Sequence, residues 1–160
     1  MRYNLELIYK KKFGILKNSV PDFIKNNLKS IIDAHNIDFV VANGENAADD
    51  GKGITKQVAE ELFSFGIDVL TSGNHIWDKK DIIGYMDKND RLLRPANFVA
   101  GSPGKGFGIY LSKKKKYKIG VINLLSLIPI SEPTSPLSMA YAVFCLKKKR
   151  GGGGGGGGGG

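Results

Sequence analysis

Two short polar clusters hold the residue types that metal-ion and proton-transfer chemistry needs. Asn43-Gly44-Glu45-Asn46 directly follows an apolar run ending at Ala42. A carboxylate such as Glu45 can bridge two divalent cations, and the carbonyl oxygen of Asn46 is a neutral ligand for the same kind of ion. Ordinary loop chemistry fits the same residues, because Asn and Gly are common turn formers. Gly73-Asn74-His75 stands at the equivalent place one unit later in the chain. A lone His at a strand end can be a hydrogen-bonded structural residue, whereas His75 and Asn74 beside the first cluster would make a site. Spacing alone leaves both readings open.

Two Gly-rich stretches, Asp50-Gly-Lys-Gly53 and Gly101-Ser-Pro-Gly-Lys-Gly-Phe-Gly108, could cradle phosphate through backbone N–H groups. Neither has the Walker spacing, since no Gly-Lys pair is followed by Ser or Thr at a helix start, and flexible turns are the simpler reading. The sole Trp, Trp77, reads as a packing residue beneath its loop rather than a substrate platform.

These clusters need elements to hold them. Pro21 to His35 predicts an amphipathic helix with Ile24, Leu28, Ile31 and Ile32 on one face and Pro21 in its first turn. Ile37 to Ala42 has the almost wholly apolar pattern of a strand buried on both faces. After the loop Asn43 to Gly53, Thr55 can cap a second helix with Val58, Leu62 and Phe63 on its apolar face, and Gly66 can end it. Ile67 to Ser72 predicts another buried strand, followed by the loop Gly73 to Trp77. Asp78 then caps a third helix running to about Met86, with Asp81 favoured near its N-terminus by the dipole. Gly108 to Ser112 and Tyr117 to Asn123 predict a hairpin around a Lys run. Alternating strands and helices imply a parallel sheet with right-handed crossovers, and ligands collect beyond the carboxyl ends of such strands.

The chain of 160 residues carries 24 Lys plus Arg against 15 Asp plus Glu, a net charge of +9. Of this, +3 sits in residues 124–160, where Lys147 to Arg150 face one acid, Glu132, leaving +6 elsewhere. Much of the remainder lies in Lys10 to Lys12 and Lys113 to Lys116. Such runs are solvated turns or a nucleic-acid face, and only Tyr9 and Tyr117 flank them, so no stacking platform is interleaved. Apolar residues make up 41%, which excludes a wholly disordered chain and allows one domain with a real core. No apolar run reaches the roughly 18 residues of a spanning helix, and Asn4, Glu6 and Lys10 to Lys12 break any signal-peptide-like stretch. The cytoplasm is the expected compartment.

Five motifs occur in a fixed order: Asn43-Gly-Glu-Asn-Ala47, Gly51-Lys-Gly-Ile-Thr55, Gly73-Asn-His-Ile-Trp-Asp-Lys-Lys80, Arg94-Pro-Ala-Asn-Phe98 and Pro103-Gly-Lys-Gly106. Over residues 20–123 they resemble the YmdB-like metallophosphoesterases, a bacterial branch of the calcineurin-type superfamily. The resemblance implies an α/β fold, the N-terminal portion of an αββα sandwich with parallel βαβ units. It also implies two divalent metal ions, iron, manganese or similar, and hydrolysis of phosphodiesters, notably 2′,3′-cyclic nucleotides. By the same resemblance Glu45 is the metal-bridging carboxylate, Asn46 a ligand beside it and Asn74 a ligand of the second metal. His75 matches the histidine that stays off the metals and protonates the leaving oxygen. These types suit the task, since two cations activate a hydroxide and an uncoordinated His titrates near neutral pH. The partner implied is a small-molecule cyclic nucleotide or an RNA-derived phosphodiester, with no membrane; a homo-oligomer stays open.

Two departures accompany the resemblance. The family begins with a strand ending in Gly-Asp, whose Asp is a ligand, whereas residues 1–21 hold no Asp. Tyr9-Lys-Lys-Lys-Phe-Gly14 occupies that region, as a local frameshift over residues 1–20 or a divergent N-terminus would produce. The family also draws several His ligands from a half lying beyond Asn123. Here Leu125-Ser-Leu-Ile-Pro-Ile-Ser-Glu-Pro-Thr-Ser135 resembles the translation of a transposase-type sequencing-library adapter, and Tyr141 to Leu146 its far end. Lys147 to Lys149 and Gly151 to Gly160 fit runs of A and of G; a natural Gly-rich linker is the other reading. The expected organisation is a partial metallophosphoesterase domain over residues 1–124 and a non-native, disordered tail over residues 125–160. That tail includes the one Cys, Cys145.

Such a chain would hold about half a metal site, bind metal weakly and hydrolyse nothing at a useful rate by itself. A competing reading, favoured by the missing Asp, is a non-catalytic module that binds nucleotide or RNA through the Gly loops and Lys runs. A phosphomonoesterase of the same superfamily is the third. The enzyme readings require the side chains of Glu45, Asn46, Asn74 and His75 to meet in one cleft.

Overall fold

Residues 19–114, 117–125 and 139–146 are described by the computed structural model. The first helix, α1 (Ser19–Ala34), buries Leu28, with Ile24, Ile31 and Ile32 packed half-buried beside it. That is the face its 3.6-residue periodicity selects. Strand β1 (Val41–Asn43) is shorter than the 37–42 run suggested. Val40 is buried but leaves the ladder: its N–H donates to the Asp68 carboxylate at 2.7 Å, and its carbonyl accepts from both Asp68 and Val69 N–H.

Helix α2 (Lys56–Ser64) begins where Thr55 Oγ1 accepts from Val58 N–H at 3.2 Å and ends before Gly66, whose φ is +108°. Strand β2 (Val69–Thr71) leads into a 3₁₀ turn (Asn74–Trp77) and then helix α3 (Lys80–Met86). Here the sequence reading of Asp78 needs correction. Lys79, not Asp78, is the N-cap of α3 and makes no side-chain cap, while Asp78 closes the 3₁₀ turn through its N–H to the His75 carbonyl. Asp81 lies in the first turn of α3, yet its carboxylate accepts from Lys56 N–H of α2 at 2.8 Å. The acid serves the neighbouring helix's free N–H, and so ties α2 to α3.

A two-residue strand, β3 (Leu92–Leu93), completes a parallel sheet in the order β1-β2-β3. The hairpin forms as β4 (Phe107–Leu111) and β5 (Lys118–Leu125), paired antiparallel from Phe107↔Ile122 to Leu111↔Lys118. Residues 139–146, inside the stretch read as a disordered tail, form β6 (Met139–Leu146) along β5. The rest of that stretch, 126–138 and 147–160, and the Lys10 to Lys12 run lie outside the described residues.

Side-chain alternation along the parallel strands explains the layers. Leu70 and Leu92 face the helices and share a core with Leu28, Ala59, Leu62, Ile82 and Met86. Val69 and Leu93 point the other way and pack on Ile119 and Val121 of β5. The order is therefore helices, parallel sheet, antiparallel sheet. One buried amide locks the two sheets at the end that matters: Asn123 Nδ2 donates to Ser72 O at 2.8 Å and Leu93 O at 3.0 Å, just past β2 and at the end of β3.

Candidate active-site edge

β1 and β2 end side by side, and Gly44 N–H extends their ladder by donating to Thr71 O at 2.8 Å. Glu45 N–H then closes on Asn43 Oδ1 at 2.9 Å, an Asx turn. It directs the Glu45 side chain across to the next strand end. There its carboxyl faces the backbone N–H groups of Asn74 and His75 and the His75 ring. Burial raises the Glu45 pKa above the usual carboxylate range, opposed in part by the His75 ring and the two N–H groups.

That shift carries a stability prediction. A folded pKa above the unfolded one means the charged form is the disfavoured one in the native state. The penalty is absent below the unfolded pKa and complete above the folded one. Glu45→Gln removes the charge yet keeps an oxygen for the N–H groups. The midpoint of thermal unfolding at pH 7 is expected to stay level or rise; a clear fall would contradict a desolvated carboxylate.

The loop after Glu45 folds back beneath the second cluster. Asn46 bridges Gly53 in parallel fashion, Ala48 N–H donates to Gly53 O at 2.9 Å, and Gly51 N–H to Ala48 O at 2.7 Å. Gly53 is pressed against His75, whose carbonyl oxygen would lie 2.6 Å from a Cβ built there. Lys79 Nζ reaches Asp50 at 2.5 Å across the rim, and this contact lowers the Asp50 pKa. His75 itself is oriented locally, with Nδ1 2.8 Å from Asp78 Oδ2.

Of the four residues singled out by sequence, the Glu45 carboxyl faces the His75 ring and the backbone N–H groups of Asn74 and His75. Asn46 makes a backbone bridge to Gly53, and both Asn46 and Asn74 are exposed. Trp77 packs on Phe98, with ring centroids 6.1 Å apart, and belongs to the helix-side core. The residues the sequence did not reveal are Asp78, which appeared as a helix cap, and Asn123, a polar residue in an apolar run. The candidate ligands named from sequence, one carboxylate and two amides, offer oxygen donors, which suit hard divalent ions. Among the described residues no group of three or more His, Cys, Asp or Glu gathers that could hold a metal ion.

The described part of the second Lys run is occupied internally. Lys113 Nζ lies 3.4 Å from Asp68 and donates to Gly66 O, and Lys114 binds Asn36 and, by its N–H, Asp38. No helix among the described residues is long and apolar enough to cross a membrane.

Parallel strands ending in Asn-Gly-Glu-Asn and Gly-Asn-His, with helices on one face and an antiparallel sheet on the other, define an α/β fold of the metallophosphoesterase type. The sequence profile of the YmdB-like protein family matches residues 15–149, and the chain belongs to that family. It is 40% identical over 115 residues to the 2′,3′-cyclic-nucleotide 2′-phosphodiesterase of Bacillus subtilis, a match covering 70% of this chain and 42% of the relative. A solved structure titled as a novel phosphatase from Mycoplasma pneumoniae is similar with a TM-score of 0.59 and 30% identity, over 74% of this chain and 41% of that one. A hypothetical protein from Thermus thermophilus gives a TM-score of 0.51 and 37% identity, over 56% and 34%. The chain thus spans well under half the length of each.

Proposed function

We propose that this chain carries one wall of the active site of a metal-dependent phosphodiesterase acting on small phosphodiesters, 2′,3′-cyclic nucleotides foremost. The observation that carries the reading is the meeting of Glu45 with Asn74 and His75 beyond the carboxyl ends of two adjacent parallel strands. The cytoplasm remains the expected setting. Glu45, Asn46 and Asn74 would hold divalent cations, iron, manganese or similar, together with donors from elsewhere in a family-length protein. Bound there, such ions supply an activated hydroxide and neutralise phosphoryl charge. His75 would deliver the proton to the leaving oxygen, and Glu45 and the Asn74 amide would fix where the ester sits relative to that ring.

The test compares the 160-residue chain with the family-length protein that includes it, using 2′,3′-cyclic AMP and p-nitrophenyl phosphate in the presence of Mn²⁺. The family-length protein should hydrolyse the diester, and His75→Ala should lower kcat by about 10² to 10⁴-fold. The chain alone should show no useful turnover. Unchanged turnover in His75→Ala and Glu45→Gln would reject the assignment, and strong preference for the monoester would favour the phosphomonoesterase reading. Of the Lys runs that a binding module would use, Lys113 and Lys114 make hydrogen bonds and an ion pair within the fold.

A further inference from the structure

We propose that Asn43 is a site of spontaneous deamidation, and that the hydrogen bond from Gly44 N–H to Thr71 O is the gate that holds the reaction off in the folded chain. The inference goes beyond the function proposed above and does not depend on it. Asn43-Gly44 is the one Asn-Gly pair in the sequence. Glycine carries no Cβ to shield its nitrogen or to limit the backbone rotation that turns this nitrogen toward the preceding side chain. In the reaction the Gly44 nitrogen attacks Asn43 Cγ. A new C–N bond forms, and the side-chain nitrogen leaves as ammonia together with the Gly44 amide proton. Water then opens the cyclic imide at either carbonyl, giving aspartate or an isoaspartate whose backbone runs on through the former side chain.

Local geometry calls for both residues of this labile pair. Asn43 Oδ1 closes the turn to Glu45 N–H. Gly44 is buried, and a Cβ built on it would lie 3.0 Å from Ile54 Cδ1 and 3.6 Å from Leu70 Cδ2. The fold then restrains the chemistry it invites. Asn43 is the last residue of β1, in register with Thr71, and its extended backbone turns the Gly44 nitrogen away from Cγ. The Gly44 N–H is held by Thr71 O at 2.8 Å, so the nitrogen keeps its proton and cannot swing round. Asn43 itself is exposed, so exclusion of solvent is not what protects it. The Glu45 N–H on Oδ1 works the other way, since it polarises Cγ, and protection therefore rests on the strand end staying paired. Opening to isoaspartate would lengthen the chain by a methylene between β1 and Glu45. The Glu45 carboxyl would then lose its register with the N–H groups of Asn74 and His75.

The test incubates the 160-residue chain at neutral pH in buffer and in guanidinium chloride. Peptide mass spectrometry follows deamidation at Asn43, and enzymatic methylation detects the isoaspartate. Deamidation at Asn43 should be at least about tenfold slower in the folded chain than in the unfolded one. Hydrogen exchange of the Gly44 amide in the same buffer measures the opening of the strand end independently. With the Thr71 hydrogen bond as the gate, the slowing and the Gly44 protection factor should agree within about threefold, and small additions of denaturant should lower both together. In guanidinium chloride, Gly44→Ala should suppress the reaction, which identifies the Gly44 nitrogen as the attacking group without requiring that variant to fold. Slowing of less than about tenfold, or slowing that departs from the Gly44 protection factor, would overturn the inference. So would an unfolded chain in which Asn43 stays intact, or in which Gly44→Ala changes nothing.

Discussion

Asn123→Asp is expected to cost about 3 to 5 kcal/mol of folding stability at pH 7, much of the total of a small domain. Asn123 is fully buried, and its amide nitrogen donates to two carbonyls, Ser72 O and Leu93 O. A carboxylate there would lose both donors and bring negative oxygens against carbonyl oxygens in a fully buried site. The pH dependence identifies the cause. Burial would raise the folded pKa of the new Asp far above its unfolded value of about 3.9. The deficit relative to wild type should be complete above the folded pKa and shrink as pH falls through it, because the protonated acid can again donate to one carbonyl. Asn123→Leu, which removes the same two hydrogen bonds but adds no charge, should cost less and show no such pH dependence. Urea unfolding of the three proteins at several pH values measures this; a deficit under about 1 kcal/mol at pH 7, or one flat with pH, would contradict it.

The consequence reaches the candidate site. Ser72 directly precedes Gly73-Asn74-His75, and Leu93 O also accepts from Ser72 N–H and Oγ. The second sheet, through Asn123, therefore fixes where the loop bearing Asn74 and His75 leaves the first sheet.

Much of this frame is legible in the sequence wherever the signal is local. The Ile24, Leu28, Ile31 and Ile32 stripe, the Thr55 cap and the Gly66 stop are written within one or two helical turns, and α1 and α2 follow them. The meeting of Glu45 with His75 was legible for a different reason: adjacent parallel strands deliver their next residues to one place. What stayed hidden depends on distant partners. β3 has two residues and no period of its own, and it exists because Leu92 and Leu93 align with Leu70 and Thr71. Lys113 looked like part of a solvated run, yet its partners, Asp68 and Gly66, lie 45 and 47 residues earlier. Asp78 was misread because an acid before a helix resembles a cap; nothing in the sequence said that a 3₁₀ turn would put it beneath His75 instead.

Gly53→Ala is expected to cost roughly 2 to 4 kcal/mol, against about 1 to 2 kcal/mol for Gly51→Ala, two residues away in the same loop. Both glycines have left-handed backbones, with φ of +71° at Gly53 and +76° at Gly51. Both substitutions therefore carry the same conformational strain. Their surroundings differ. A Cβ at Gly51 meets nothing within 4 Å, whereas at Gly53 it would lie 2.6 Å from the His75 carbonyl oxygen, with Asp78 Cβ and Lys79 Cγ each at 3.6 Å. Backbone cannot swing aside as the end of a flexible side chain can, so either the 43–53 loop or the 3₁₀ turn must shift. The difference between the two variants isolates that contact. Unfolding measurements should separate them by at least about 1 kcal/mol. Amide spectra should show the Gly53→Ala changes concentrated at Glu45 and Asn74 to Asp78, with those signals nearly unmoved in Gly51→Ala. Equal costs, or equal shifts at His75, would mean that the loop does not brace the residue on which the proposed chemistry depends.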